Sequence, residues 1–508
     1  MESGCFAVPG RQQVSLAVRR NVDPGRTTME EGTMADLRIT TTRGTETVLD
    51  EATMQGFQTS LRGPLLRPGD DGYDTARKVF NAMIDKRPAF IACCTGVADV
   101  INAVRFARTH QVLVAVRGGG HHAAGHSVCE GGLVIDLSPM KGLRVDPIRQ
   151  TVQAQGGVIW GEFDRETAAF DLATTGGMVS TTGIAGLTLG GGIGWLCRKY
   201  GLSCDNLLSA DVVTADGTFL TVNAREHADL FWGLRGGGGN FGVITAFEYR
   251  LHPVAQVLGG YLVYPLAQAK SLLTFLRAYL PTSPENLTVL IVIMTAPADP
   301  LLPPAVHNTV VVVPAVCYTG LLPEGEKVLQ PLRTFGTPAV DLIRPMPYPA
   351  LQALFDALEP PGYHRYWKSA YVQELSEGVI DALIEGAATM TSPLSHLHVM
   401  QLGGAISRVG EEDTAFSHRE TPYECYIVDN WTNPEEAERH LAWARDTWSA
   451  LQAFSPGIGY LNRNSDEEDQ ARLRTTYGAR KYERLVALKN RYDPTNLFRL
   501  NHNIKPTV

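Results

Sequence analysis

Glycine is concentrated in one segment of the chain. Of the 50 glycines among 508 residues, 26 lie between Gly118 and Gly242, where they gather at residues 118–120, 176–194 and 236–242. A glycine lets other groups approach the backbone closely and allows φ angles that other residues avoid. The clusters therefore predict several loops that bring bare backbone to one ligand. The ordinary glycine content elsewhere excludes a collagen-like or linker-like chain.

Composition is typical of a globular protein, with 44% apolar and 19% charged residues and a net charge of −8. No basic run stands out, so nucleic acid is not an expected partner. The longest apolar stretches, such as residues 289–294, are too short to span a bilayer, so no membrane association is expected. The eight cysteines lack metal-ligand spacing, which predicts reduced thiols in a cytoplasmic enzyme, and we expect no signal peptide.

The first glycine cluster follows a predicted strand at residues 112–116. It reads Arg117-Gly118-Gly119-Gly120-His121-His122 and is followed by Gly125, His126 and Ser127. A strand that runs into glycines lets backbone N–H groups converge on an anion, and Arg117 could add positive charge. A tight turn with incidental histidines is the alternative. His121, His122 and His126 could also bind a metal, although nearby carboxylate or cysteine partners are missing. One histidine could instead tether an electrophilic cofactor, because neutral imidazole is a nucleophile.

The other two clusters do not match the common nucleotide-binding motifs. Residues 176–194 contain no P-loop, and Ser180 lacks the flanking glycines of a nucleophile elbow. Gly237, Gly239 and Gly242 satisfy G-x-G-x-x-G. A helix precedes them and a strand follows, which is the reverse of the order in a Rossmann unit. The third cluster therefore does not predict NAD binding.

Hydrophobic patterning divides the rest of the chain. Residues 1–50 lack periodicity and are expected to form a disordered arm. Short strands and helices follow up to Pro253, with a hairpin at Asp216-Gly217 and a long loop at residues 176–194. Beyond Pro253 the glycines thin out, and alternating strands and helices predict an α+β domain to about residue 453. Residues 468–476 and 482–491 are predicted helices.

Several motifs in a fixed order give the chain a family resemblance. They are Arg117-Gly-Gly-Gly-His121, Gly190-Gly-Gly-Ile-Gly194, Asp205-Asn206-Leu207, Phe231-Trp232 with residues 235–242, and Tyr492-Asp493-Pro494-Thr495-Asn496-Leu497-Phe498-Arg499. This set resembles the berberine-bridge-enzyme-like FAD-linked oxidases, which belong to the vanillyl-alcohol-oxidase superfamily. The resemblance covers about residues 88–504. One glycine run alone is weak support, whereas the ordered set is specific.

The resemblance implies an α+β fold. Its PCMH-type FAD-binding domain consists of two α+β subdomains, and a substrate domain built on an antiparallel sheet is inserted into it. The expected boundaries are residues 51–253 for the FAD-binding domain and 254–453 for the substrate domain, with residues 454–508 completing the FAD-binding domain. The three glycine clusters would then contact different parts of one FAD.

The resemblance also implies which residues hold FAD. His121 falls on the family's histidine that bonds covalently to the 8α-methyl carbon of the flavin. Val179 stands where many members have a cysteine that forms a second link, so we expect one link only. Residues 118–120 would hold the pyrophosphate, residues 183–193 the ribityl chain and ring, and Val243 the adenine end. The full expected set is Arg117, Gly118, Gly119, Gly120, His121, Gly125, Ser127, Gly183, Gly186, Gly191, Ile193, Val243, Asn501 and Asn503, and no metal site is expected.

The catalytic base is where this sequence departs from the family pattern. Family bases are often tyrosines on a Tyr-x-Asn-Tyr strand, and here that strand reads Tyr460-Leu461-Asn462-Arg463. A guanidinium cannot act as an ordinary base at neutral pH. Tyr460 could serve instead or could be a core residue, and Arg463 could hold an anionic substrate or lower the pKa of a tyrosine. Tyr460, Asn462 and Arg463 are thus the catalytic candidates, while His418 and Tyr423 could face substrate.

Together these inferences predict an FAD-dependent oxidoreductase. A hydride would pass from a small alcohol, sugar or secondary metabolite to covalently bound FAD while a base removes a proton. Oxygen would then reoxidise the flavin and give hydrogen peroxide. A dehydrogenase that uses another acceptor is one alternative. A flavoprotein that sequesters a drug-like molecule without turnover is another.

Overall fold

The first part of the chain forms a hairpin and a small sheet with three helices in a computed structural model that describes residues 37–465 and 470–508. The strands are β1 (Leu37–Thr40), β2 (Glu46–Leu49), β3 (Leu65–Leu66), β4 (Phe90–Cys93), β5 (Val114–Arg117) and β6 (Leu133–Asp136), and the helices are α1 (Glu51–Ser60), α2 (Tyr73–Arg77) and α3 (Val97–Thr109). The small sheet has the order β3-β4-β6-β5, in which β4 and β5 run parallel to β6. β5 ends at Arg117, so the first glycine cluster begins at the end of this strand.

The hairpin β1–β2 corrects the expected arm. Ile39 and Leu49 are buried in the same apolar core as Met54 and Phe57 of α1, so residues 37–49 are part of the fold. The Asp50 side chain accepts the Thr53 N–H at 2.7 Å and caps α1. The rest of the expected arm, residues 1–36, lies outside the described residues.

The second part forms an antiparallel sheet in the order β11-β10-β12-β8-β7. Its elements are β7 (Leu143–Asp146), β8 (Thr151–Gln155), α4 (Trp160–Ala168), β9 (Leu172–Ala173), α5 (Ile184–Leu189), α6 (Cys197–Tyr200), β10 (Leu207–Val213), β11 (Phe219–Asn223), α7 (Ala228–Leu234), β12 (Val243–Arg250) and β13 (His252–Pro253), with β13 paired to β9. The predicted hairpin at Asp216-Gly217 joins β10 to β11. Residues 176–194 are not a continuous loop, because buried Ile184 and Leu189 anchor α5 within them.

The third part is a large antiparallel sheet in the order β17-β14-β16-β15-β20-β21-β19, with β18 paired to β14. Its strands are β14 (Gln256–Pro265), β15 (Leu287–Thr295), β16 (Val310–Tyr318), β17 (Val340–Asp341), β18 (Arg344–Pro347), β19 (His364–Val372), β20 (His396–Gln401) and β21 (Tyr423–Trp431). The helices are α8 (Ala269–Tyr279), α9 (Leu322–Arg333), α10 (Tyr348–Gln352), α11 (Glu377–Ala388), α12 (Ala405–Arg408) and α13 (Ala437–Gln452).

The two faces of this large sheet have different neighbours. Leu397 and Val399 pack in a core that contains residues of α8, α11 and α13. Met400 and Tyr426 pack on the opposite side, in a core that also contains Ile193 from the second part of the chain. Since successive strand residues point to opposite faces, His396 and His398 share the face of Met400. That face forms one wall of the site.

The C-terminal segment returns to the first two sheets through α14 (Gln470–Tyr477) and α15 (Ala479–Tyr492). Buried Lys489 pairs with Asp493 at 2.7 Å and donates to the carbonyls of Asn240 and Phe498. Asp493 also accepts the N–H groups of Leu497 and Phe498. The Tyr492–Arg499 motif is therefore an anchor for the tail.

The observed mixture of helices and antiparallel sheets confirms the predicted α+β class. The proposed domain boundaries stay predictions, as does the cytoplasmic location. Within the described ranges, no helix combines the length and apolar character needed to cross a membrane. The seven cysteines of those ranges are free thiols, and all but Cys93 are buried.

Candidate active site

A cavity of about 320 Å³ lies where the glycine loops, the large sheet and the C-terminal tail meet. This volume is within the usual range for a ligand site. Ten of the predicted cofactor residues line it: Gly118, Gly119, Gly120, His121, Ser127, Gly183, Gly186, Ile193, Val243 and Asn501. The predicted catalytic residues Tyr460, Asn462 and Arg463 also line it, as does Val179.

The first two glycine clusters touch each other backbone to backbone. A Cβ placed on Gly119 would lie 2.4 Å from the nitrogen of Gly183, and a Cβ on Gly183 would lie equally close to the nitrogen of Gly119. Neither side chain can be accommodated without moving the other loop. Glycine is thus required here for contact between two loops that both line the cavity.

Four predicted cofactor residues lie outside the cavity lining. Arg117 donates to the carbonyl of Ala76 and lies 3.9 Å from Asp136, so its charge is already engaged. A Cβ on Gly125 would press on Ile84, and one on Gly191 would lie 2.5 Å from the ring of Phe416. These two glycines allow close packing against protein. Asn503 turns its carbonyl to Gln470, which donates to it at 2.8 Å.

His121 lies at the edge between the glycine loops and the large sheet. Its ring stacks on Phe80 with centroids 3.6 Å apart, and its Nε2 lies 3.1 Å from the Thr181 hydroxyl. Phe80 in turn meets the edge of Trp367 on β19. Burial lowers the pKa of His121 to about 3, so the ring is neutral at physiological pH. A neutral imidazole is the nucleophilic form.

The histidine cluster of the structure differs from the one suggested by sequence. His122 and His126 come together with His502 of the tail, within 4.8 Å of one another, while His121 points elsewhere. His122 Nδ1 accepts the N–H of Ala124 at 3.1 Å. Its neutral ring therefore carries the proton on Nε2. That nitrogen has no lone pair for a metal, which argues against the metal alternative.

The cavity contains buried polar atoms that the protein leaves without partners. Among the described residues, nothing bonds to His122 Nε2, His126 Nε2, Ser127 Oγ or Asn501 Oδ1. Buried polar groups without partners are costly and rare. A polar ligand that fills this part of the cavity would satisfy them. The glycine-lined loops and these free donors and acceptors together fit FAD.

Tyr460 and Asn462 form a fixed pair on the other wall. They lie at a short 3-10 turn, Leu461–Arg463, and not on the predicted strand. The Tyr460 oxygen accepts the N–H of Gly192 at 2.9 Å and the side-chain amide of Asn462 at 2.8 Å. Burial raises the pKa of Tyr460 above its ordinary value. The two donors favour the phenolate, but burial outweighs them, so Tyr460 stays a neutral hydroxyl whose proton can be donated to a bound group.

Arg463 binds two groups of the large sheet. Its guanidinium pairs with the buried carboxylate of Glu424 and lies over the ring of Tyr426, 3.8 Å from the ring centroid. Tyr426 lines the cavity, and its hydroxyl makes no hydrogen bond to the part of the chain that the structure describes. Burial raises the pKa of Tyr426, and the Arg463 charge acts against that rise.

Comparisons with known proteins agree with this architecture. A model of the FAD binding domain matches residues 88–223, and a model described as berberine and berberine like matches residues 459–505. An FAD-linked oxidoreductase of Dictyostelium discoideum is 32% identical over 455 residues, which cover 89% of this chain and 96% of that protein. The chain belongs to the berberine-bridge-enzyme-like family of FAD-linked oxidoreductases.

Other members are equally similar in extent. The (R)-6-hydroxynicotine oxidase of Paenarthrobacter nicotinovorans is 31% identical over 466 residues, covering 88% of this chain and 97% of that protein. The crystal structure of 6-hydroxy-D-nicotine oxidase from Arthrobacter nicotinovorans superposes with a TM-score of 0.80 at 28% identity, over 88% of this chain and 98% of that chain. The predictions of the family, its PCMH-type fold, FAD as cofactor and an FAD-linked oxidase are confirmed.

The cavity wall formed by the large sheet and the Tyr460–Arg463 turn, which we call the substrate wall, also contains residues that sequence reasoning missed. Buried Glu359 pairs with Arg365 and lies 3.1 Å from His396, which in turn contacts His398. All of these except Arg365 line the cavity, as does Tyr426. The signal available was the alternation His396-Leu397-His398, which places two histidines on one face of a strand. Nothing in the sequence indicated that Glu359 would reach them.

Two predicted substrate contacts point elsewhere in this oxidase. Tyr423 is buried in the core on the helix-covered face of the large sheet. The His418 Nε2 lies 2.8 Å from the carbonyl oxygen of Thr476, so this side chain hydrogen-bonds to the C-terminal segment. Tyr426, three residues along the same strand from Tyr423, takes the place expected of a tyrosine facing substrate. Because the two tyrosines are three residues apart on one strand, they point to opposite faces of the sheet.

Proposed function

We propose that the protein holds FAD through one covalent bond to His121 and oxidises a CH–OH or related group of a small molecule, with oxygen as the electron acceptor. The observation that carries the proposal is the position of His121. It lies in the cavity where the glycine loops reach the large sheet. A flavin attached there would present its ring to the substrate wall.

The surroundings of His121 support a single link. Thr181 lies beside Nε2. When its hydroxyl accepts a hydrogen bond from Nε2–H, the Nδ1 lone pair remains available to form the bond to the flavin. Phe80 fixes the plane of the ring. Val179 lines the cavity at the place of the family's second, cysteine link, and valine cannot form it. Cys197 and Cys204 are buried and lie outside the cavity lining.

The base in this proposal is Tyr426. FAD, when bound, supplies a two-electron acceptor for the substrate hydride. The Tyr426 hydroxyl has no hydrogen-bond partner among the described residues. Once ionised, the Tyr426 phenolate, which the Arg463 guanidinium over its ring stabilises, would take the proton of a substrate hydroxyl. Tyr460 and Asn462 would hold the substrate oxygen in position. Arg463 thus takes the second of the two roles open to it. Its pairing with Glu424 disfavours binding of an anionic substrate, whereas its charge still lowers the pKa of Tyr426 more than the Glu424 charge raises it.

The substrate class follows from the wall that faces it. Trp367, His398, Tyr426 and Val428 line this part of the cavity and present mainly rings and aliphatic groups. Such a surface suits a ring-containing alcohol, sugar or heterocycle, with a polar group directed at the tyrosines. The relative that oxidises (R)-6-hydroxynicotine supports this class.

The test is a flavin-bleaching screen under anaerobic conditions. The purified protein is mixed with (R)-6-hydroxynicotine, glucose, a chitooligosaccharide and a panel of aromatic alcohols, and absorbance near 450 nm is followed. We expect bleaching by at least one compound, followed by rapid recovery and stoichiometric hydrogen peroxide on mixing with air. Bleaching without recovery in air would establish a dehydrogenase instead. A binding-induced spectral shift without bleaching by any compound would establish a sequestering protein.

A further inference from the structure

Two neighbouring histidines leave the first glycine loop in different directions. The His121 ring stacks on Phe80 at the substrate side. The His122 ring meets His126 and His502, with centroids 4.5 Å and 5.2 Å away. His126 and His502 are 5.4 Å apart. All four line the cavity, so the cluster of His122, His126 and His502 faces a different part of any ligand from His121.

Hydrogen bonds fix which nitrogens of the cluster are free. The His502 Nε2 lies 2.9 Å from the Leu461 carbonyl, which can only accept, so that nitrogen carries the proton and Nδ1 has a free lone pair. Because its Nδ1 accepts from Ala124, His122 carries a proton on Nε2, and this N–H has no hydrogen-bond partner in the described part of the chain. His126 Nε2 and the Ser127 hydroxyl are also buried without partners among the described residues. Protonation of His126 and His502 would turn every free nitrogen of the cluster into a donor.

We propose that His122, His126 and His502 form a side-chain site for the pyrophosphate of FAD, and that binding of the cofactor draws protons into this site. The inference rests on the proposed arrangement of FAD, with its pyrophosphate at residues 118–120 of the same loop. A pyrophosphate carries two negative charges and only accepts hydrogen bonds. Its oxygens therefore match a cluster of converging donors. The other titratable groups that face the cluster are Lys86 and His121, and neither brings negative charge.

The free protein keeps the cluster neutral. Burial lowers the pKa of His126 to about 3 and that of His502 to about 4, and it lowers the pKa of His122 well below its ordinary value. A bound pyrophosphate raises these pKa values, because each ring then faces an anion. Between the free and bound pKa values, binding takes up protons, so FAD affinity increases as pH falls. Each proton taken up changes the dissociation constant by about tenfold per pH unit.

The test measures binding by calorimetry in the His121→Ala background, which keeps FAD binding reversible. FAD is titrated into apoprotein at pH 7 in MOPS and in Tris, whose ionisation enthalpies differ. We expect an uptake of about one proton per FAD, a smaller uptake in both His126→Asn and His502→Asn, and an FAD affinity about 10- to 100-fold weaker at pH 6 than in the background. His227→Asn, an exposed histidine far along the chain, should change neither quantity.

Further arms separate the possible origins of the signal. Riboflavin, which lacks phosphate, should bind without proton uptake, and inorganic phosphate added with it should restore little affinity. Identical FAD heats in the two buffers would overturn the proposal, as would uptake that persists in both histidine variants. Zinc binding to the apoprotein that depends on His126 and His502 would identify a metal site instead. None of these readouts requires turnover, so failure of the oxidase proposal would leave them intact.

Discussion

The two walls of the cavity differ in whether their buried charges are paired within the protein. On the cofactor wall, His122, His126 and Ser127 hold buried polar atoms without partners in the described chain. On the substrate wall, charged groups are already paired, as in Glu424 with Arg463 and Glu359 with Arg365. The cofactor wall therefore needs a ligand to complete its hydrogen bonds. The charges of the substrate wall are neutralised within the protein, although Trp367 Nε1 and His398 Nδ1 also lack a hydrogen-bond partner among the described residues.

This difference separates binding from stability. Removing a side chain from the cofactor wall should weaken FAD binding and leave the fold nearly unchanged, because the apoprotein gains nothing from an unpartnered group. Removing one partner of an ion pair on the substrate wall leaves the other charge buried without compensation, which lowers the stability of the fold. The same kind of substitution should therefore have a different main effect on each wall.

The largest expected effect on the cofactor wall comes from His121→Ala. It removes the nitrogen that we propose as the tether, so no flavin should remain attached after acid precipitation. The native protein should still bind FAD reversibly and remain yellow. The measurement is flavin fluorescence of trichloroacetic-acid pellets before and after washing. His227→Asn should retain its flavin in the pellet. Flavin that stays in the His121→Ala pellet would place the tether elsewhere.

The next effect belongs to the substrate wall. Tyr426→Phe removes the proposed base and should slow anaerobic flavin reduction by about 10²- to 10⁴-fold, while the substrate concentration for half-maximal rate changes little. Tyr460→Phe is the matched control, because its oxygen is already bonded by Gly192 and Asn462, and it should mainly weaken substrate binding. A larger loss of the reduction rate in Tyr460→Phe would reverse the assignment of the base.

The cofactor wall was more predictable from sequence than the substrate wall for a physical reason. Backbone approach requires glycine, so residues 118–120 and Gly183 leave a direct trace in composition. Gly125 and Gly191 were expected to contact the cofactor by the same argument, but there the missing side chain makes room for Ile84 and Phe416. A glycine indicates that some group lies close to the backbone, but it does not indicate whether that group belongs to the cofactor or to the protein.

The substrate wall depends on contacts between distant segments. Glu359, His396 and Arg463 come from a loop, a strand and a turn far apart in the chain, and their pairing has no local pattern. The sequence predicts that Tyr423 could face substrate, whereas the period of two along β21 directs Tyr426 to the cavity and Tyr423 to the opposite core. The His502 contribution was likewise hidden, because it depends on how Lys489 and Asp493 fix the tail.

The two walls should differ in how much a substitution lowers the free energy of unfolding. Among the described residues, Arg463→Met leaves buried Glu424 with Ser369 as its hydrogen-bond donor. We therefore expect a loss of about 3–5 kcal/mol in unfolding free energy. The double variant Arg463→Met with Glu424→Gln should recover most of this loss. Ser127→Ala on the cofactor wall should change stability by less than about 0.5 kcal/mol. Urea denaturation of the apoproteins gives all three values, and equal losses in Arg463→Met and Ser127→Ala would refute the distinction.

The smallest expected effect lies behind the cavity, at a contact between the second and third parts of the chain. Here Gln352 of α10 donates to Asp164 of α4 at 3.0 Å and to the carbonyl of Gly177. Burial raises the pKa of Asp164 to about 7. The folded protein therefore binds this proton more tightly than the unfolded chain, and stability falls as pH rises from about 4 to about 7. Asp164→Asn removes this dependence, so it should stabilise the apoprotein by about 2–4 kcal/mol at pH 8 and far less at pH 4.5. Exposed Asp71→Asn is the control, and a gain from Asp164→Asn that is equal at both pH values would show that the carboxyl does not titrate in this range.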